Sequence, residues 1–265
     1  MLRKNFLKEK LESGLPVIGT WSIIPSVVVT DIIASTGIDF IVIDSEHGPI
    51  NFETAQNMII ACESRNVSPV MRVGGINESD ILKALDIGIH CIQVPNISNR
   101  NDILSLIDLV KYPPIGNRGF SPFTRAGNYS LESSTKLTKI ANENVLLAIH
   151  IEGREAINNI EQILDIKELD IIFIGLYDIS KSLGMPGEVN DPRVLDILSK
   201  ITEKIINAGK YPGTIVTNTD KLKQFIEIGV RYITYSVDCE ILGSSYSKIK
   251  TDFRSLLDSN SREKT

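Results

Sequence analysis

Along the chain, short runs rich in Ile and Val alternate with longer stretches whose apolar residues recur three and four positions apart. VIGTWSII, DFIVIDS, PVMRV, CIQVPNI, LLAIHIE, DIIFIG, YPGTIV and YITYSV each have the length and β-branched content of a strand. Between them, FETAQNMIIACESR, ESDILKALDIG, NDILSLIDLVKY, REAINNIEQILDI, DPRVLDILSKITEKIINAG and DKLKQFIEIG read as amphipathic helices. Gly37, Gly88, Gly209 and Gly229 follow such stretches at the place where a positive φ ends a helix. Because the strand runs are nearly continuous in apolar residues, both sheet faces are buried, which implies a parallel sheet covered by helices. Eight βα units predict an α/β fold of the closed (β/α)8 TIM barrel type, a single domain over residues 1–265. A doubly wound open sheet would need a Gly-rich dinucleotide turn after the first strand. GTWSIIPS has none, so no nucleotide cofactor is expected. At the amino terminus, Leu2, Phe6, Leu7 and Leu11 are spaced for a helix. KYPPIGNRGFSPFTRAGNYS is the one long irregular insert, and such loops are often functional.

Composition narrows the class. An apolar fraction of 42% with 23% charged residues is that of an ordinary globular protein. The net charge of −5, from 33 acidic and 28 basic residues mixed without a basic block, gives a nucleic-acid groove no electrostatic support. No run approaches the length of a membrane span and no signal-peptide core is present, so a cytoplasmic protein is expected. Cys62, Cys91 and Cys239 are few, odd in number and far apart, which fits reduced thiols rather than a disulfide framework or a zinc knuckle.

The strand ends carry the chemistry. Glu152 closes LLAIHIE and Asp178 follows DIIFIG; if these are neighbouring parallel strands, both carboxylates stand on the carboxyl-end rim, where a divalent cation finds hard oxygen ligands. Two protein carboxylates leave positions open for water and substrate, the arrangement of magnesium or manganese rather than tetrahedral zinc. Asp44, Glu46 and His47 are delivered to the same rim by IDSEHGP, and a histidine near carboxylates is suited to accept and return a proton. Arg72, ending PVMRV, can hold a carboxylate or stabilise an enolate oxygen. By spacing alone Asp86 is an ordinary polar or capping residue. Arg118 and Arg125, in the long insert, either close over an anionic substrate or face solvent.

Taken in order, IDSEHGP, MRV, LDIG, QVP, YPPIGNRGF, HIEGREAINN and FIGLYDIS resemble the HpcH/HpaI aldolase family over about residues 14–242. The resemblance implies a metal-dependent class II aldolase acting on a small 2-oxo acid, with Mg, Mn or Co as cofactor. It matches His47 to the catalytic base, Asp86 to the acid that increases its basicity, and Arg72 to the stabiliser of the enolate-like transition state. Glu152 and Asp178 match the metal ligands, and Asp44 an acid on the strand of the base. Arg72, His150, Tyr177 and Asp178 fall at the substrate. His150 stands where many members have glutamine, and Gly175-Leu176-Tyr177-Asp178 replaces their G-P-A-D or G-P-S-D. These two departures put the usual donor substrate in doubt and leave a citrate synthase-type condensation of oxaloacetate with acetyl-CoA as the alternative. The resemblance also implies a homohexamer, a trimer of dimers exchanging C-terminal helices, and the spacing of ILGSSYSKIKTDFRSLL is compatible with such a helix.

Overall fold

The computed structural model describes residues 4–262, with side-chain surroundings as far as 258; Leu2 and the last three positions lie outside the described residues. The eight apolar runs form eight parallel strands, β1 (Val17–Ser22), β2 (Phe40–Asp44), β3 (Ser68–Arg72), β4 (Cys91–Val94), β5 (Leu146–Ile151), β6 (Ile171–Ile174), β7 (Tyr211–Val216) and β8 (Tyr232–Val237). Each pairs with the next, and β8 returns to β1, so the sheet closes into a (β/α)8 barrel.

Alternation along each strand builds two cores. Phe40, Val42, Val70, Ala148, Phe173 and Tyr232 point inward and fill the barrel, while Ile43, Met71, Ile92 and Ile149 point outward under the helices. The amino-terminal helix α1 (Phe6–Glu12) sends Leu7 and Leu11 into the inner cluster, and its N-cap Asn5 donates from Nδ2 to the carbonyl of His90 at 2.9 Å. It therefore plugs the barrel end opposite the rim.

Among the described residues, eleven further α-helices follow the strands: α2 (Val27–Ser35), α3 (Phe52–Ser64), α4 (Glu78–Asp86), α5 (Arg100–Val110), α6 (Ser134–Asn144), α7 (Arg154–Asn158), α8 (Ile160–Leu164), α9 (Leu176–Ser182), α10 (Pro192–Asn207), α11 (Thr219–Glu227) and α12 (Asp238–Arg262). Side-chain caps start most of them, as at Asn51, Asn77, Asn99 and Asn218. The helix expected over 154–166 is broken. Asn159 leaves helical geometry and donates from Nδ2 to the carbonyl of Ser98, which divides it into α7 and α8. Three helices are not visible from periodicity: α2 opens with the β-branched run Val27–Val29, α6 hides behind the irregular insert, and α9 is only seven residues long.

The first strand stops at Ser22, earlier than its apolar run, because Asp238 captures the next backbone groups. Its carboxylate accepts from the N–H groups of Ile23 and Ile24 at 3.1 Å each and from Ser22 Oγ at 2.8 Å, stapling the β1 exit to the start of α12. Asp238→Ala leaves these donors in a place that is 5% exposed. We expect it to cost about 3 kcal/mol and to lower Tm by roughly 6–12 °C in a domain of this size, measured by differential scanning calorimetry.

Among the described residues no helix is long and apolar enough to cross a membrane. Cys62 and Cys91 are buried, and Cys239 is exposed. Burial pushes the Cys62 thiol up to about 12, so it stays protonated and inert.

Candidate active site

Strand direction decides where each side chain goes. The carboxyl ends of β1, β2, β3, β5, β6, β7 and β8 open into one cleft of about 400 Å³, walled by Trp21, Phe173, Ile215 and Val237 and edged by Asp44, His47, Arg72, Glu152 and Asp178. Seven of the residues expected at the site, these five with His150 and Tyr177, are thus brought to one opening.

Arg72 is the most constrained. Its Nε and Nη2 donate to Asp44 at 2.8 and 2.5 Å, its Nη1 lies 3.0 Å from Glu46 Oε2, and its guanidinium lies 4.2 Å from the centroid of the Trp21 ring. The planar fork is held from two edges and one face, and each Nη keeps a further N–H for a ligand. Asp44 is buried and also accepts from the backbone N–H groups of Glu46 and His47, at 3.0 and 3.4 Å. It therefore shapes the turn that carries His47 and anchors Arg72. Burial raises Glu46 above the ordinary carboxylate range, although Arg72 pulls it back. His47 is exposed on the rim.

Glu152 follows β5 directly. Its Oε1 accepts from the Asn96 N–H at 2.7 Å and its Oε2 lies 3.5 Å from His150 Nδ1. Burial works against its charge, but His150, the Asn96 N–H and Arg72 outweigh burial and hold the carboxyl below the usual range. Gly175 leaves space beside it: a Cβ there would lie 2.9 Å from Glu152 Cβ and 3.2 Å from Oε2. Asp178, in the first turn of α9, is half exposed, with Lys181 Nζ at 4.0 Å. Glu152 and Asp178 border both the main cleft and a neighbouring opening lined by Asn96, Ser98 and Lys181. Among the described residues no group of three or more His, Cys, Asp or Glu is arranged to hold an ion by itself. Two carboxylates beside space for ligands fit a hard cation whose other positions go to water and substrate.

Three expectations change. Asp86 is not brought to His47 within the chain. It ends α4, and a helix that returns from the rim ends at the opposite end of the barrel, where the Asp86 carboxylate accepts from Arg118 Nη2 at 2.8 Å. Burial raises its pKa, with Arg118 opposing. Arg118 and Arg125 neither cover the cleft nor face solvent. Arg118 is buried on Asp86 and stacks 4.6 Å from Tyr112, while Arg125 pairs with Glu63 and donates to the carbonyl of Ile87. The long insert is thus packed against the ends of α3 and α4. His150 lines the cleft as expected, but it is 2% exposed and both ring nitrogens face protein groups, Gln93 and Glu152.

Trp21, Gln93 and Tyr232 support the site and were not singled out from sequence. Gln93 had a signal, a polar residue inside the apolar run CIQVP; Trp21 and Tyr232 look like ordinary core aromatics.

Comparisons with known proteins bear on the fold and the family. A 4-hydroxy-2-oxo-heptane-1,7-dioate aldolase of Shigella flexneri is 31% identical over 251 residues, covering 94% of this chain and 93% of that protein. The solved citrate synthase SbnG is 29% identical with a TM-score of 0.88, covering 96% of this chain and all of that one. An HpcH/HpaI aldolase/citrate lyase family protein from Burkholderia cenocepacia J2315 is 26% identical with a TM-score of 0.89, covering 95% of this chain. Residues 18–244 match the HpcH/HpaI aldolase/citrate lyase family, to which this chain belongs.

Proposed function

We propose that this protein is a divalent-metal-dependent carbon–carbon lyase that cleaves or forms 4-hydroxy-2-oxo acids through a pyruvate enolate. The observation that carries the reading is the meeting of His47, Arg72, Glu152 and Asp178 on one cleft in a chain of this family. Glu152 and Asp178 would hold Mg, Mn or Co, and the bound cation would grip the 2-oxo acid and draw off electron density as the enolate forms. His47 accepts the proton of the 4-hydroxyl group. The bond between C3 and C4 then breaks, its electron pair passes to the enolate, and the carbon bearing the oxygen leaves as an aldehyde. Arg72 donates its remaining N–H groups to the enolate oxygen, and protonation at C3 gives pyruvate. Tyr177 borders the acid end of the same cleft. No lysine lines the cleft among the described residues, so no side-chain amine there is placed for a Schiff base.

A second reading is favoured by one observation, the likeness to citrate synthase SbnG over 96% of this chain. There the gripped 2-oxo acid is oxaloacetate and acetyl-CoA supplies the carbon nucleophile. A panel of 2-oxo acids, with and without acetyl-CoA, scored for both pyruvate and free CoA separates the two. Pyruvate from a 4-hydroxy-2-oxo acid without CoA release supports the aldolase, and CoA release dependent on oxaloacetate replaces it.

The working unit in this reading is a cytoplasmic homohexamer, a trimer of dimers with exchanged C-terminal helices. Its support is α12, which runs 25 residues and leaves Tyr246, Ile249 and Phe253 more than 60% exposed. Asp86 keeps its expected part beside His47 only if another copy supplies it. Light scattering should give six chains for the wild type, and Phe253→Glu should shift the mass to smaller species. An unchanged hexamer in that variant would remove α12 from the interface.

A further inference from the structure

A line of buried polar groups crosses the barrel interior and ends on Glu152. Tyr232 Oη, fully buried on β8, donates to Gln93 Oε1 on β4 at 2.9 Å. The amide nitrogen of the same Gln93 lies 2.6 Å from His150 Nε2 on β5. An amide nitrogen only donates, so His150 Nε2 must accept. A neutral imidazole accepting at Nε2 carries its proton on Nδ1, which lies 3.5 Å from Glu152 Oε2. Reversing the amide would make Tyr232 Oη an acceptor from Gln93. Its own proton would then lack a partner, since no other hydrogen bond to this hydroxyl is present among the described residues.

The ring is also fixed by packing. Phe173 stacks on His150 with centroids 4.7 Å apart and planes at 26°, and Trp21 meets it edge-on at 6.0 Å. Asn96 N–H holds the other carboxylate oxygen at 2.7 Å, so one oxygen of Glu152 is fixed by a backbone donor and the other faces the His150 ring. We infer that His150 is a positioning residue: Tyr232 and Gln93 lock its tautomer, and its Nδ1–H aims the Glu152 carboxylate at the cation site. This assigns the histidine a role through Glu152 rather than a hydrogen bond to the 2-oxo acid, and it rests on the metal role proposed for Glu152. Groups that orient a metal ligand in this way are typically worth about 10- to 100-fold in metal affinity.

The test is Mn²⁺ binding to the full-length, metal-stripped protein without substrate, followed by the paramagnetic signal of the free ion. His150→Phe keeps the ring stack and removes both nitrogens, and it should raise the Mn²⁺ Kd by about 10- to 100-fold. His150→Asn places an amide N–H near the lost Nδ1–H and should return the Kd close to wild type. Tyr232→Phe, remote from the ion, should weaken binding in the same direction by less. Wild-type affinity in His150→Phe overturns the inference, and so does an Asn variant as weak as the Phe variant. Should His150→Phe not fold, Tyr232→Phe decides: weaker binding at unchanged Tm supports the relay, and unaltered binding overturns it. A wild type that takes up no Mn²⁺ removes the metal reading itself and this inference with it, a result distinct from equal binding by wild type and variants.

Discussion

Stripping the divalent cation with excess EDTA, or replacing Glu152 with alanine, is expected to lower cleavage of a 4-hydroxy-2-oxo acid by at least about 10³-fold, equivalent to roughly 4 kcal/mol of transition-state stabilisation. The reason lies in what the cleft offers a developing enolate. Among the described residues Arg72 is the one arginine or lysine lining the cleft, and the other walls are mostly apolar side chains such as Trp21, Phe173, Ile215 and Val237 or carboxylates, so little else spreads negative charge as the carbon–carbon bond breaks. Added Mg²⁺, Mn²⁺ or Co²⁺ should restore the chelated wild type and leave Glu152→Ala inactive. Cleavage that continues undiminished in EDTA, or in the variant, would sink the metal role. The pH dependence has a sign. Because the folded pKa of Glu152 lies below its ordinary value of 4.5, its carboxylate remains ionised at and above that value. The stabilisation from its donors is fully present above the ordinary value and is lost only as the pH falls through the lower, folded one. Acid inactivation that tracks Glu152 must therefore fall below the ordinary carboxylate range.

Arg72→Lys should lower kcat and kcat/KM together by about 10²–10³-fold, the loss expected when a donor to a developing oxyanion is removed. Charge is conserved in this exchange, and geometry is not. The guanidinium satisfies both oxygens of Asp44, reaches Glu46 and lies flat on Trp21 while keeping N–H groups for the substrate. An ammonium cannot do all of this at once, and whichever carboxylate it releases is left in a poorly solvated place. A Michaelis constant that rises with kcat unchanged would mean that Arg72 only binds the ground state. A loss of less than about tenfold would mean that it does not face the enolate oxygen.

The site was legible in proportion to how locally each residue's position is determined. His47, Arg72, Glu152 and Asp178 each follow an apolar run that has to be a strand. Once the strands are parallel, their carboxyl ends must share one rim. Asp86 was legible only as the end of a helix, and helices that return from the rim end on the far side, where Arg118 meets it. Arg118 and Arg125 sat in a long irregular insert whose side chains local pattern could send either over the substrate or into solvent. Their burial comes from acids 32 and 62 residues away, pairings that no local pattern encodes. The break at Asn159 depended likewise on the distant carbonyl of Ser98.

Alone, the chain determined the barrel, the order of its strands and the rim residues, because hydrophobic periodicity and the handedness of βα units leave few other ways to bury eight apolar strands. What only the tertiary structure decided was which polar groups meet inside it. Tyr232, Gln93, His150 and Glu152 lie on β8, β4 and β5 and just beyond β5, up to 139 residues apart. Closure of the barrel alone brings them into hydrogen-bonding distance. The same closure places Asp44, Glu46 and Trp21 around one guanidinium. Such contacts depend on the angle and register at which strands close the ring, and a one-dimensional pattern of apolar and polar positions carries no record of either.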